Sequence, residues 1–344
     1  MNPKQDRIIL DVAYQPQVRA ERNTQRLMLD VLIALIPAVA VAVYQFGSHA
    51  LLVMATSVTS AVFFEWLYRK LTKKSQSIDD LSAVVTGLLL ALTMPASCPA
   101  WIPVVGTFFA IVVVKQLYGG IGKNFLNPAL AARAFLLASY STALSGNYLV
   151  PRGLKGAVDA VSMATPLGVL YGDGYMPAVY SLKSVFLGNM PGALGEISSL
   201  ALLIGGVYLV CRKVITWHIP VSFLGTVFVL SFVFGGGHMG RGEYALYAVL
   251  SGGLMLSATF MATDYATSPV TLKGQLLYGV GCGVLTVLIR KFGSYPEGAT
   301  YAILIMNLCA WAIDKGFHRH QFGVTKEDLI AQKAAKKAAK EAKK

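Results

Sequence analysis

Charged residues are scarce in this sequence. Asp, Glu, Lys and Arg make up 14% of its 344 residues, whereas hydrophobic residues make up 55%. A soluble domain carries roughly 25% charged residues. The composition therefore argues against a soluble enzyme and favours a protein built for the lipid bilayer.

Cysteine is sparse as well. The four cysteines, Cys98, Cys211, Cys282 and Cys309, lie far apart, and none belongs to a CxxC motif or to a cluster with histidine. Because a metal or iron–sulfur site needs converging ligands, we expect this chain to bind no metal by itself. We predict that the four thiols are small, buried, apolar side chains.

The usual signatures of catalysis are missing too. The sequence shows no paired nucleophile and base, no P-loop and no GxGxxG at a strand–helix junction, so we predict no catalytic residue in this chain alone. Its first residues are polar, among them Lys4, Asp6 and Arg7. They do not resemble a cleavable signal peptide.

Apolar runs recur along the whole chain. They are residues 27–46, 50–68, 81–94, 101–118, 128–140, 197–211, 217–234, 244–262, 274–289 and 298–313. They predict an all-α membrane protein with about ten transmembrane helices. The chain then divides into a cytoplasmic N-terminal segment (1–26), a first transmembrane half (27–140), an external loop (141–196), a second transmembrane half (197–315) and a Lys-rich tail (316–344).

Two of these runs resemble each other. Residues 87–94 can be laid on residues 253–260, matching a Gly-Leu pair, a Leu and a Thr, and Pro-containing segments follow both. These are the third and eighth runs, the equivalent places in two halves of five. An odd number of spans per half predicts two inverted five-helix repeats, and Gly/Pro-interrupted runs predict broken helices around a central site.

The positive charge, +13 at pH 7, predicts the orientation. Most Lys and Arg residues lie on one side if the N-terminus is cytoplasmic, which places both termini inside and the loop 141–196 outside. Arg290 and Lys291 are a local exception, because they fall on the external side. The basic residues form no stripe with interleaved aromatic residues, so we expect no nucleic-acid binding.

Charge within the apolar runs is confined to their ends. The residues are Asp30, Glu65, Lys115, Arg133 and Asp264. A proton relay would need a series of carboxylates in mid-membrane, which is not seen. Hydroxyl groups of residues 86–93 and 259–271 could instead coordinate Na⁺, or they could simply pack helices together.

Arg133 and Asn127 are two further candidates for binding. Arg133 follows Asn127 by about one and a half helical turns, near the start of the fifth run. There it could hold a phosphate group, or it could pair with a carboxylate such as Glu297.

The stretch from Asp159 to Leu167 stands out in the long loop. It reads Asp-Ala-Val-Ser-Met-Ala-Thr-Pro-Leu. On its own, a hydroxyl such as that of Thr165 before a proline is typical of a turn or of a helix N-cap.

Four stretches together resemble one family. They are residues 118–129, 159–167 and 260–264, and residues 295–298 followed by 303–307. In this order they resemble the D subunit of the Rnf complex, the ferredoxin:NAD⁺ oxidoreductase, and the related B subunit of the Na⁺-translocating NADH:quinone reductase.

The resemblance implies a covalent flavin. Members of the family carry FMN on a threonine, attached through its phosphate by a separate flavin transferase. That threonine would be Thr165, with Asp159, Ser162, Met163 and Ala164 as residues of the motif. Met163 departs from the glycine that is common in the family. A second, non-covalent flavin such as riboflavin occurs in relatives.

The resemblance also implies a function and partners. The chain would be a multi-pass subunit of the bacterial cytoplasmic membrane that relays electrons and takes part in Na⁺ or H⁺ translocation. Its partners would be a second FMN-bearing subunit, iron–sulfur subunits and other membrane and peripheral subunits of the complex. Two alternatives remain at this point: a flavin-free channel or transporter of the same fold, and a structural anchor for redox subunits.

Overall fold

Helices make up almost all of the regular structure. The computed structural model describes residues 23–146, 148–154, 162–172, 176–177, 180–235, 239–293 and 297–317. The helices of the first half are α1 (Thr24–Phe46), α2 (Ser48–Leu71), α3 (Ser82–Leu92), α4 (Trp101–Phe108), α5 (Pro128–Ser139) and α6 (Ser141–Ser145). Helix α4 continues as a π-helix over Phe109–Gln116.

The remaining elements follow in the loop and the second half. The loop contains β1 (Tyr148–Leu149), β2 (Ser162–Met163), α7 (Pro166–Gly172) and α8 (Leu182–Leu187). The second half contains α9 (Ser199–Cys211), α10 (His218–Phe234), α11 (Arg241–Leu250), α12 (Leu254–Leu256), α13 (Leu272–Phe292) and α14 (Ala299–Gly316). Helix α12 continues as a π-helix over Ser257–Met261.

Several helices are suited to a bilayer. Among the described residues, α1, α2 and α13 are long and apolar enough to cross it, and α11 with Leu254–Met261 passes the same test as a pair bent by 63°. Shorter apolar helices of 10–17 residues include α3, α5, α9 and α10. The chain is therefore an all-α membrane protein, as the sequence predicts.

The eighth run contains a break, as predicted, whereas the third run ends before Pro95 and a separate helix follows. Helix α3 ends at Leu92 and helix begins again only at Trp101, while α11 and α12 are separated by residues 251–253. Gly252 adopts φ +74° there, a conformation that favours glycine. Broken helices expose backbone groups, which need partners inside a membrane.

The end of the predicted external loop supplies such partners. The Leu194 amide donates to the Met94 carbonyl (2.9 Å) and the Gly195 amide donates to the Leu92 carbonyl (2.6 Å). Residues 190–199 are all buried. This part of the segment 141–196 is therefore inside the helix bundle, because it satisfies the open end of α3.

Helices α1 and α9 join the two halves through a close approach. A side chain at Gly205 would clash with the backbone carbonyl of Ala34, so only glycine lets the two backbones come this near. One turn away, the Tyr208 hydroxyl donates to Asp30 (3.0 Å), which also pairs with Arg212 (3.4 Å).

Gly205→Ala is expected to destabilise the folded protein by about 1–3 kcal/mol, because the added methyl group forces α1 and α9 apart. The measurement is the free energy of unfolding in detergent. Gly225→Ala in α10 is the matched control, since a side chain there meets no atom of the described residues within 4 Å. Equal effects of the two changes would contradict the close contact.

The cysteines divide into two pairs. Cys98 and Cys282 are buried, as predicted, whereas Cys211 and Cys309 are exposed. The prediction of burial is wrong for the second pair, since the outer surface of an apolar helix accepts a small apolar side chain as readily as the core does.

Candidate functional site

Thr165 lies at the start of a short helix. Its hydroxyl accepts a hydrogen bond from the Gly168 amide (3.2 Å), so it caps the first turn of α7. The side chain is half-buried and its neighbour Ala164 is exposed. The N-cap role considered from the sequence is thus confirmed.

Hydrogen bonds from tyrosines hold the Thr165 segment on α11. The Tyr180 hydroxyl donates to the Ala164 carbonyl, and the Tyr247 hydroxyl of α11 donates to the Tyr180 carbonyl, both at 2.8 Å. Burial raises the pKa of Tyr180, which keeps this phenol protonated as a donor. These two hydrogen bonds therefore fix the position of the segment that contains Thr165 relative to α11.

The segment before Thr165 pairs with another part of the loop. Ser162 and Met163 form β2, which runs antiparallel to β1 with Met163 opposite Tyr148. The Tyr148 hydroxyl donates to Glu297 (3.5 Å). The strand pair therefore contacts the ion-pair cluster around Arg133. Asp159 lies outside the described residues.

Arg133 lies at the centre of those buried charges. Its guanidinium forms an ion pair with Glu297, lies 3.7 Å from Glu196, and donates to the Thr93 carbonyl (2.6 Å) at the open end of α3. The carboxylate partner considered from the sequence is therefore confirmed. Arg133 uses its charge to join the two halves, because Thr93 belongs to the first and Glu297 to the second.

Glu196 is a buried residue that sequence reasoning missed. It is 3% exposed and lies against Gly253, at the break before α12. It follows a long polar stretch of sequence, so nothing marked it as a residue of the core. Burial of residues 190–199 places it there.

Asn127 has a structural role. Its side-chain oxygen caps α5 by accepting from Ala129 (3.0 Å) and Leu130 (3.3 Å), and its amide group donates to the Met261 carbonyl (3.1 Å). Its role in binding a cofactor stays a prediction.

Asn127 also lines a partly open cavity of about 100 Å³. The other polar residues around it are Ser82, Thr86, Lys115, Asn124, Thr263, Asp264 and Tyr265. Asp264 accepts a hydrogen bond from the Thr267 hydroxyl (3.2 Å). The cavity joins apolar walls to a few polar groups, as binding sites for small molecules do.

A buried ion pair forms part of the same wall. Lys115 donates to Glu65 (2.8 Å) and to the Ser82 hydroxyl (2.6 Å), and Gln116 and Ser77 also donate to Glu65. Glu65 is fully buried and Lys115 is 3% exposed. Each charge therefore depends on the other, since an unpaired charge in this setting is costly.

These features define a helical membrane protein with one broken helix, a buried ion-pair cluster and a helix-capping hydroxyl in the loop between its halves. The NQR2, RnfD, RnfE family model matches residues 11–323. The chain belongs to this family, which confirms the resemblance found in its four sequence stretches.

Relatives with known names agree. The chain is 46% identical over 319 residues to the D subunit of the Na⁺-translocating ferredoxin:NAD⁺ oxidoreductase complex of Acetobacterium woodii, covering 92% of this chain and 96% of the relative. It is 39% identical to the D subunit of the proton-translocating ferredoxin:NAD⁺ oxidoreductase complex of Clostridium ljungdahlii, with the same coverage. It is 38% identical to the D subunit of the ion-translocating oxidoreductase complex of Shewanella amazonensis, covering 88% and 95%.

Proposed function

We propose that this chain is the D-type membrane subunit of an ion-translocating ferredoxin:NAD⁺ oxidoreductase complex, and that it carries FMN on Thr165. The names of the relatives support the first part, since they cover nearly the whole chain. Those names specify different ions, Na⁺ and protons, so the proposal extends to translocation of either. The chain acts as part of the complex and is not catalytic alone.

The hydroxyl of Thr165, on a half-buried side chain, carries the proposal. A flavin transferase needs an acceptor oxygen that it can reach. Esterification joins this oxygen to the phosphorus of the flavin donor, breaks the bond from that phosphorus to the donor's leaving group (AMP where the donor is FAD), and passes the hydroxyl proton to that group. Thr165 offers such an oxygen at a fixed place, because the segment is hydrogen-bonded through Tyr180 to α11. Bound FMN would supply one- and two-electron transfer, while the protein supplies position and electrostatics.

The proposed topology has ten spans in two inverted halves. It is supported by the apolar helices of both halves and by the break at 251–253 within the eighth run. With both termini in the cytoplasm, the Thr165 segment lies on the external side of the bacterial cytoplasmic membrane. There the flavin can exchange electrons with a second FMN-bearing subunit and with iron–sulfur subunits that the complex supplies.

Labelling tests this orientation. In a cysteine-free background, Arg152→Cys places a thiol on an exposed residue of the loop. A membrane-impermeant maleimide is expected to label it in intact cells or right-side-out vesicles. Labelling only after the cytoplasmic face is opened would reverse the topology.

We place a second, non-covalent flavin in the cavity lined by Asn127 and Asp264. Its apolar walls suit a flat ring, and the side chains of Lys115, Asn124 and Asp264 offer polar partners at its edge. Flavin that is released by acid from purified Thr165→Val protein would support this placement. The absence of released flavin would contradict it.

Mass spectrometry of the loop peptide tests the covalent flavin. Protein from a host with the transferase is expected to show an increment on Thr165 equal to FMN less water, and fluorescence should stay with the chain in a denaturing gel. Unmodified peptide would favour the flavin-free channel or transporter. A modified peptide excludes a purely structural anchor if electron transfer also depends on it.

A further inference from the structure

Arg290 is a buried cation with unused hydrogen-bonding capacity. It lies in the last turn of α13 and is 3% exposed. One nitrogen, Nη1, donates to the Ala248 carbonyl (2.6 Å). The other two, Nε and Nη2, have no hydrogen-bond partner among the residues that the structure describes. Leaving two donors of a buried guanidinium unpaired is costly, so a ligand for them is expected.

The carboxylates nearby do not fill this role. Glu196 and Glu297 both pair with Arg133, and Arg290 forms no ion pair within the described part of the chain. The neighbouring Lys291 differs, because it is exposed and its ammonium lies over the Phe234 ring (4.9 Å). Of these two neighbouring cations, Arg290 is therefore the buried one. Glu196 interacts with it electrostatically at longer range, but no described residue bonds to its Nε or Nη2.

Arg290 and the Thr165 segment meet at the end of α11. A methyl group added at Gly252 would lie 3.4 Å from Nη2 of Arg290 and 2.7 Å from Leu167, so both residues approach the same glycine. Leu167 is two residues from Thr165. Tyr247 holds the Thr165 segment through Tyr180, and Ala248, the next residue, accepts from Arg290.

We propose that the free Nε–Nη2 edge of Arg290 binds the anionic phosphodiester of the flavin attached to Thr165. This rests on the proposed function. A phosphodiester keeps one negative charge, and two adjacent guanidinium donors match two phosphate oxygens in a fork-like geometry. Arg290 is thus a positioning residue: it fixes the linkage, and its charge stabilises the reduced, more negative flavin. This contact also explains why a basic residue occurs on the external side of the membrane, where Lys and Arg residues are few.

The test uses the purified complex and measures the midpoint potential of the covalent flavin, normalised to flavin content per chain. Arg290→Gln removes the charge and is expected to lower the potential, so that the ratio of reduced to oxidised flavin at a fixed ambient potential falls about tenfold, because the reduced ring loses its Coulomb attraction to a nearby cation. Arg290→Lys keeps the charge without the fork and should recover part of the change. Lys291→Gln removes the same charge one residue away and should leave the potential near that of the wild type.

Equal potentials in Arg290→Gln and Lys291→Gln would overturn the assignment. A second measurement needs no variant: flavinylation should raise the melting temperature of the wild-type chain, since it supplies the missing partner for Arg290. No rise would overturn the assignment even if Arg290→Gln fails to assemble. Wild-type protein without covalent flavin would instead overturn the proposed function, so the two failures are distinguishable.

Discussion

Thr165→Val is expected to abolish electron transfer from ferredoxin to NAD⁺ while the complex still assembles. Valine has the shape of threonine without the hydroxyl, so no phosphoester can form. The loss of the cap on α7 costs only about 1 kcal/mol. The measurements are ferredoxin:NAD⁺ activity of the purified complex and fluorescence of this subunit in a denaturing gel.

Two further variants separate the cap from the cofactor. Thr165→Ser keeps both a hydroxyl and the acceptor for the Gly168 amide, so fluorescence and part of the activity should remain. Thr165→Asn keeps a capping oxygen but offers no hydroxyl, so it should behave as the valine variant does. Normal activity of the valine variant, or fluorescence retained by the asparagine variant, would sink the assignment.

Glu65→Leu is expected to destabilise the protein by about 3–5 kcal/mol, because Lys115 is left as a buried cation without a counter-charge. Gln116 loses its acceptor on Glu65 as well. Reduced yield and a lower free energy of unfolding in detergent are the expected observations.

The double variant Glu65→Leu/Lys115→Met is expected to recover most of this stability. Two apolar side chains of similar size often replace a buried ion pair at little cost. The coupling energy from the double-mutant cycle measures the interaction directly. A double variant that is no more stable than Glu65→Leu would show that Lys115 does not depend on Glu65.

Repeated apolar runs made the membrane-spanning elements predictable. The predicted run 27–46 lies within three residues of α1 at each end, and 217–234 matches α10 within one. The end of α3 before Pro95 was also predictable, since a helix cannot continue through proline. An interruption of the eighth run was predicted, but its position at Gly252 was not. These features depend on local sequence alone.

The partners of the buried charges were harder to predict from the sequence. Glu65 and Lys115 are 50 residues apart, and both looked like residues at the ends of spans. The pairing of Arg133 with Glu297 was one of two alternatives, because sequence does not fix which distant carboxylate a guanidinium meets. The burial of Glu196 depends on the backbone bonds of residues 193–195, which follow no side-chain pattern.

The role proposed for Arg290 likewise depends on contacts that the sequence does not show. Sequence alone marked Arg290 and Lys291 as an unexplained pair of charges. The structure separates them, with one buried against Gly252 and the other exposed beside Phe234. The Thr165 motif, in contrast, was marked by its resemblance to the family, since its residues alone are typical of a turn or of a helix N-cap.

The hydrogen bonds that close the end of α3 have a consequence for synthesis. The Leu92 and Met94 carbonyls receive their partners from Gly195 and Leu194, about a hundred residues further along the chain. Until the ribosome has made that segment, the first half holds open backbone groups that hydrocarbon cannot satisfy. The nascent first half is therefore an incomplete folding unit, and it should remain beside the insertion machinery until the second half begins to emerge.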